Sequence, residues 1–188
     1  MGVPVPTIYA ALNARVLSSL RTQRIAAEPL LTVPAGPAFD LGTPANGMEP
    51  LCDACILACI ASYAQGMALL QAASALHNYD LDLPQIGRIW KGGCIIRARL
   101  LQRIQDAYKN QGDLANLMFD PWFLEQVNQR LPGLRAVVAG AAMAGIPVPC
   151  LSSTLDYIQS LFTARLPQNL VQAMRDCFGS HTYERVDR

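Results

Sequence analysis

From Ala54 to Leu76 the chain carries no charged side chain. A run of that length passes the ~18-residue rule for a membrane-spanning helix. It therefore admits two readings: a span in lipid, or the central helix of a bundle, apolar on most sides. The composition decides between them. The run is rich in Ala and holds Ser62, Gln65, Gly66, Gln71 and Ser74. It lacks the aromatic belts and basic flanks that anchor a span. It reads as a buried central helix, from about Leu51 to Asn78, and no membrane partner is expected.

The flanking sequence supplies helices to cover it. Pro4 and Pro6 suit a helix start, and Ile8, Leu12, Val16 and Leu20 recur every four residues as one apolar stripe. Residues 28–50 break the pattern with Pro29, Pro34, Pro37, Pro44, Pro50, Gly36, Gly42 and Gly47, and read as a loop or linker. Asp82 can cap the next helix, with Pro84 in its first turn. That helix runs through Trp90, bends or breaks at Gly92-Gly93, and continues to about Asn110. Shorter helices are expected over 112–118, 121–130, 134–144, 152–164 and 167–177. No run alternates with period two long enough for a strand. The fold class is all-α, a multi-helix bundle in a single domain over 1–188. Gly2-Val3-Pro4-Val5-Pro6 and Gly145-Ile146-Pro147-Val148-Pro149 echo one another and each opens a helix, as in a duplicated helical unit.

A chain of 188 residues is long enough to bury roughly 70% of its unfolded surface, so it needs no staples. Only 15% of residues are charged while 52% are apolar; much of the surface is expected to be covered, by the chain itself or by a partner. A net charge of +1 leaves no basic field for nucleic acid. Met1-Gly2-Val3-Pro4 has neither the basic nor the apolar region of a secretory signal, which points to the cytoplasm and to free thiols. Cys52, Cys55 and Cys59 share one side of the central helix at C-x2-C-x3-C spacing. They read as small buried hydrophobes, with a metal site as the competing reading, although no fourth ligand is close: His77 lies far along the segment.

Chemistry-bearing patterns are few. There is no G-x-G-x-x-G, no Gly-rich lysine loop and no nucleophile arrangement. The most informative stretch is Met174-Arg175-Asp176-Cys177-Phe178-Gly179-Ser180-His181-Thr182-Tyr183-Glu184. It sets Arg175 six residues before His181, across a Gly-Ser turn. A guanidinium offers a planar fork of donors to two phosphate oxygens, and an imidazole adds a third donor. The competing reading is a pair of cations capping a helix C-terminus. Arg15, beside the apolar stripe, reads by itself as a snorkelling surface arginine. Trp90 reads as core, and Arg97, Arg99 and Arg103 as a solvated face.

Five ordered motifs resemble the C-terminal half of 6-phosphogluconate dehydrogenase. They are Gly2–Pro6 with Asn13–Ser19, Ser62-Tyr63-Ala64-Gln65-Gly66, Ile89-Trp90-Lys91-Gly92-Gly93-Cys94-Ile95-Ile96-Arg97, Ala144–Cys150, and Arg175–Glu184. The resemblance covers nearly everything except 28–50. In that family a Rossmann domain binds NADP, and a lysine and a glutamate act as base and acid. 6-Phosphogluconate is oxidised and decarboxylated to ribulose 5-phosphate in the pentose phosphate pathway. The helical domain mostly binds substrate and forms the homodimer.

The resemblance implies that Arg15 contacts the substrate phosphate. Arg175 and His181 would close on the same phosphate in the neighbouring subunit's site. The Rossmann domain, the lysine and the glutamate have no counterpart in residues 1–188. No catalytic, cofactor-binding or metal residue is therefore assigned, and no redox turnover is expected from this chain alone. Near Cys59 the family usually carries a lysine, and Cys177 replaces an aromatic residue. The alternatives are a repurposed helical dimerisation module that binds a partner or a sugar phosphate, and a thiol metal cluster at Cys52, Cys55 and Cys59.

Overall fold

The computed structural model describes residues 1–32, 36–37, 48–96 and 98–185. Among them the chain forms α1 (Pro6–Ser19), α2 (Arg21–Ala27), α3 (Met48–His77), α4 (Leu83–Trp90), α5 (Leu100–Asn110), α6 (Pro121–Met143), α7 (Pro149–Leu161) and α8 (Asn169–Gly179). Two 3-10 turns, Glu28–Leu30 and Leu117–Phe119, complete the described elements, and no strand occurs among them. The fold is all-α. Most of the segment read as a linker, and Arg97, lie outside the described residues. The chain divides into two compact units, 1–157 and 158–188, with the boundary inside α7.

The core of the first unit lies where α3 packs on α6. Ala54, Leu57, Ile60, Ala61, Ala64 and Met67 supply one side, and Phe123, Val127, Leu134, Val137 and Ala141 the other. The α6 set advances by three, four or seven residues, which keeps it on one helix face. Gly133 lets the two helices meet closely: a Cβ there would stand 2.9 Å from Asp53 Cβ and 3.1 Å from Pro50 Cα. Beside it, Arg130 Nη1 donates to Asp53 Oδ1 at 2.6 Å.

The sequence divides α6 into two helices at Pro132, yet α6 is continuous. Proline removes one helical hydrogen bond, at a cost of ~3 kcal/mol. Both Pro132 and Asn128, whose carbonyl loses its donor, are exposed, so water can satisfy the freed oxygen while the inward face stays packed. The helix expected over 112–118 does not form. The Asn116 side chain accepts from Met118 N at 3.0 Å and starts the 3-10 turn instead, an outcome of side-chain competition for backbone donors. Asp120 Oδ1 then caps α6 by accepting from Trp122 N and Phe123 N at 3.0 and 3.3 Å.

Asp82 caps α4 as its position suggests, with Oδ1 3.0 Å from Gln85 N. The Gly92-Gly93 interruption is a full break, with Gly93 at φ +88°. α5 then packs against α4, and Gly87 faces Gln105 across the contact at 3.0 Å from a Cβ position to Cγ. Tyr63 of α3 donates its hydroxyl to Ile96 O and so tethers the stretch after the break. Its ring stands 6.4 Å from the half-buried Trp90.

The two proline repeats behave alike. Gly2 and Gly145 take φ +68° and +71°, and helices start at the last proline of each repeat. The helices they open are tied together through α3. Gln65, fully buried, accepts from Thr7 N at 3.0 Å and donates to Thr7 Oγ1 at 2.9 Å. Thr7 Oγ1 lies 3.2 Å from Thr154 Oγ1, which also donates to Cys150 O at 2.8 Å. Every buried polar atom in this knot is matched, which avoids the 1–3 kcal/mol cost of an orphan.

Two expectations are corrected. The stripe Ile8, Leu12, Val16 and Leu20 is exposed by 42, 56, 52 and 39%: α1 docks through Thr7, one residue out of phase with it. Cys52, Cys55 and Cys59 are exposed, because the Ala54–Leu57–Ala61–Ala64 face of α3 turns to α6 and leaves the cysteine face outside. α3 is long and apolar enough to cross a membrane by length and composition, yet here one of its faces is the core. Arg99 and Arg103 are exposed, as a solvated face requires, and the Arg103 guanidinium carbon also lies 5.2 Å from the Trp122 ring centroid.

The second unit is built differently. α8 buries none of its residues. Its apolar positions Leu170, Val171, Met174 and Phe178 are all exposed.

Candidate functional site

Arg175 and His181 lie at the same end of α8, where the chain leaves the helix through a tight turn. Ser180 and Thr182 take left-handed φ of 52° and 59°, each costing of order 1 kcal/mol or more for a non-glycine residue. Hydrogen bonds offset that cost. Ser180 N donates to Asp176 O at 2.8 Å. Thr182 N donates to Asp176 Oδ1 at 2.7 Å, and Gln172 Nε2 donates to Thr182 O at 2.7 Å. The turn is thus clipped to α8 by two side chains, one helical turn apart.

The same glutamine positions the arginine, because Gln172 Oε1 accepts from Arg175 Nη1 at 3.2 Å. Gly179 admits the histidine. A Cβ at 179 would stand 2.9 Å from His181 Nε2, so the ring folds back against the bare helix end. Both side chains are exposed. Gln172 engages one Arg175 donor, and a guanidinium has five, enough to grip two oxygens of an anion as well.

The capping alternative does not describe this end. The C-cap is Ser180, through its own N–H, and the partner of Arg175 is a side-chain amide rather than a helix carbonyl. The negative end of the helix dipole disfavours an anion here, so any anion must be held by cations. Gln172 and Asp176 are the residues that sequence reasoning missed. Gln172 lies three residues before Arg175 and four before Asp176, spacings visible in the sequence, but the backbone groups that Gln172 and Asp176 clip belong to a turn with no periodic signature.

Arg15 belongs to the first unit, on α1, and is exposed. Its carbonyl accepts from Ser18 Oγ at 2.7 Å, and no ion pair holds its guanidinium among the described residues. Those residues contain no strand. They therefore offer no strand–glycine turn–helix crevice of the kind that cradles a dinucleotide. No hydride step is derived from them. No three His, Cys, Asp or Glu side chains among the described residues are placed to hold a metal ion.

The family model for the 6-phosphogluconate dehydrogenase C-terminal domain matches residues 1–188. The chain belongs to this family. It is 50% identical over 188 residues to the decarboxylating 6-phosphogluconate dehydrogenase of Synechococcus elongatus, covering 100% of this chain and 40% of that protein. With the enzyme of the same name from Escherichia coli K12 it shares 44% over 189 residues, covering 100% and 40%. The solved Plasmodium falciparum 6-phosphogluconate dehydrogenase, described in its apo form and in complex with its cofactor NADP+ and its substrate 6-phosphogluconate, superposes with a TM-score of 0.89. It is 43% identical, with 100% of this chain and 40% of that one covered. The chain spans about 40% of the length of the curated relatives it matches. It corresponds to their helical C-terminal domain.

Proposed function

We propose that this chain is the substrate-holding and dimer-forming part of a decarboxylating 6-phosphogluconate dehydrogenase that works in the cytoplasm. Its ligand is the phosphate of 6-phosphogluconate, and NADP belongs to a Rossmann domain that residues 1–188 do not include. The observation that carries this reading is the clipped turn, which holds an under-used guanidinium and an exposed imidazole at one helix end. A phosphate dianion calls for several cations, and Arg15 is the third in this reading. Pinning a remote phosphate fixes the position of the carbon that reacts, and so turns binding energy into rate. The exposed apolar residues of α1 and α8 support a homodimer in which Arg175 and His181 serve the neighbouring subunit, since apolar surface of that kind marks an interface.

The test is calorimetric titration of the purified chain with 6-phosphogluconate, with gluconate as the control. Phosphate-dependent heat is expected, and Arg175→Ala should weaken it roughly tenfold or more, the value of a charged hydrogen bond. Equal affinity for gluconate would sink the reading. Sedimentation should give a dimer, and NADP should not be reduced by the contaminant-free chain.

A further inference from the structure

The cysteine face of α3 has no part in the phosphate reading. Cys55 and Cys59 are both exposed and stand one helical turn apart. Together they line a mostly apolar hollow of about 940 Å³ in the first unit, whose walls include Ile8, Ile56, Tyr63, Trp90, Ile95 and Ile96. Side chains at i and i+4 of a helix have Cβ atoms ~5–6 Å apart. A disulfide needs Cβ atoms ~3.5–4.5 Å apart. The pair is thus too wide to close on itself without distorting α3, but a single bridging atom between the sulfurs makes up the difference.

We propose that Cys55 and Cys59 form a dithiol site for a trivalent arsenical carrying an aryl group, with arsenic bridging the two sulfurs and the ring seated in the apolar hollow. For an aryl arsenoxide the step is a condensation. Two S–H bonds and the two As–O linkages of the As=O unit break. Two As–S bonds form, and both thiol protons leave with the oxygen as one water. Arsenic stays trivalent, so no oxidant or reductant is needed. Partial loss of solvent around the thiol first, and the neighbouring Cys55 second, push Cys59 above its ordinary value although its side chain stays accessible. This disfavours chemistry that needs a free thiolate but not a condensation that consumes the protonated thiol. The site uses two ligands, in keeping with the absence of any three-ligand metal group among the described residues.

The probe is phenylarsine oxide, titrated into the purified, reduced chain. Free thiols are counted and the intact mass is measured. One phenylarsenic group should add per chain, with the loss of two titratable thiols. Cys55→Ser or Cys59→Ser should each weaken binding at least tenfold, while Cys52→Ser and Cys177→Ser leave it unchanged. Circular dichroism checks that each variant keeps its helix content. Cys150 also lines the hollow, so an unchanged loss of two thiols in the Cys150→Ser variant checks that a pair, not a triad, is at work. Inorganic arsenite, which has no ring to bury, should bind on the order of tenfold more weakly. Loss of binding in Cys52→Ser, or persistence of tight binding in Cys59→Ser, would overturn the assignment. So would arsenite binding as tightly as the aryl compound.

Discussion

The two units stabilise their conformations by different means. In the first, α3 and α6 bury a continuous set of side chains, and its polar interior is matched at Thr7, Gln65 and Thr154. In the second, α8 buries nothing, and the conformation of its end rests on a hydrogen bond that Gln172 donates to Thr182 O and one that Asp176 accepts from Thr182 N. Burial resists change, and a few exposed hydrogen bonds do not. The candidate anion-binding residues Arg175 and His181 therefore sit on the softer of the two structures. An element that must close on a ligand is typically drawn from the low-stability end of a protein.

Substitutions should separate the two regimes, and the largest effect belongs to the core. Phe123→Ala, at a fully buried position, should cost about 3–5 kcal/mol in denaturant unfolding. Gln65→Ala should cost about 1–3 kcal/mol by leaving the buried Thr7 N–H without its acceptor. Gly133→Ala should cost about 1–3 kcal/mol, because the new methyl meets Asp53 and Pro50. A loss under 0.5 kcal/mol in any of these would blur the distinction drawn here.

Tyr108 adds a pH dependence to the first unit. Its hydroxyl is buried with no hydrogen-bond partner among the described residues. Burial, followed by the proximity of Tyr157, pushes its pKa up to about 12. A group whose folded pKa is raised binds its proton more tightly when folded. Its contribution is complete below the ordinary pKa near 10 and falls away as pH rises from there to about 12. Melting temperature should drop across that window, and Tyr108→Phe should reduce the drop. Near neutral pH the same variant should be neutral or slightly stabilising, since it removes an unsatisfied group.

The smallest stability effect is expected in the second unit. Asp176→Ala should change unfolding free energy by no more than about 0.5 kcal/mol. It should still weaken any phosphate ligand by releasing the turn that carries His181. A stability loss comparable to that of Gln65→Ala would show that the second unit is not the soft one.

How much of this could be read in the sequence depended on whether the signal was periodic. The uncharged run at Ala54–Leu76 and the Asp82–Pro84 cap announced α3 and α4, because periodicity and capping are local. The paired proline openers were legible for the same reason. Which face of α3 turns inward was not, since cysteine and alanine are both small and apolar, and only the docking of α6 chooses between them. Pro132 misled because its cost depends on whether the freed carbonyl can reach water. Arg175 and His181 stood out as residue types, but Gln172 and Asp176, which hold them, act on left-handed backbone that no periodicity marks.

Pro132 also shapes how α6 moves. A helix normally exchanges its amide hydrogens by opening from its ends, with the middle slowest. α6 is missing one rung between Asn128 and Pro132, so it has a second pair of ends in its middle. Its N-terminal half, capped by Asp120, and its C-terminal half, running to Met143, open as two short helices that share one packed face. Deuterium should enter at the centre of α6 as well as at its tips, and the centre of this long element is where α6 bends most readily.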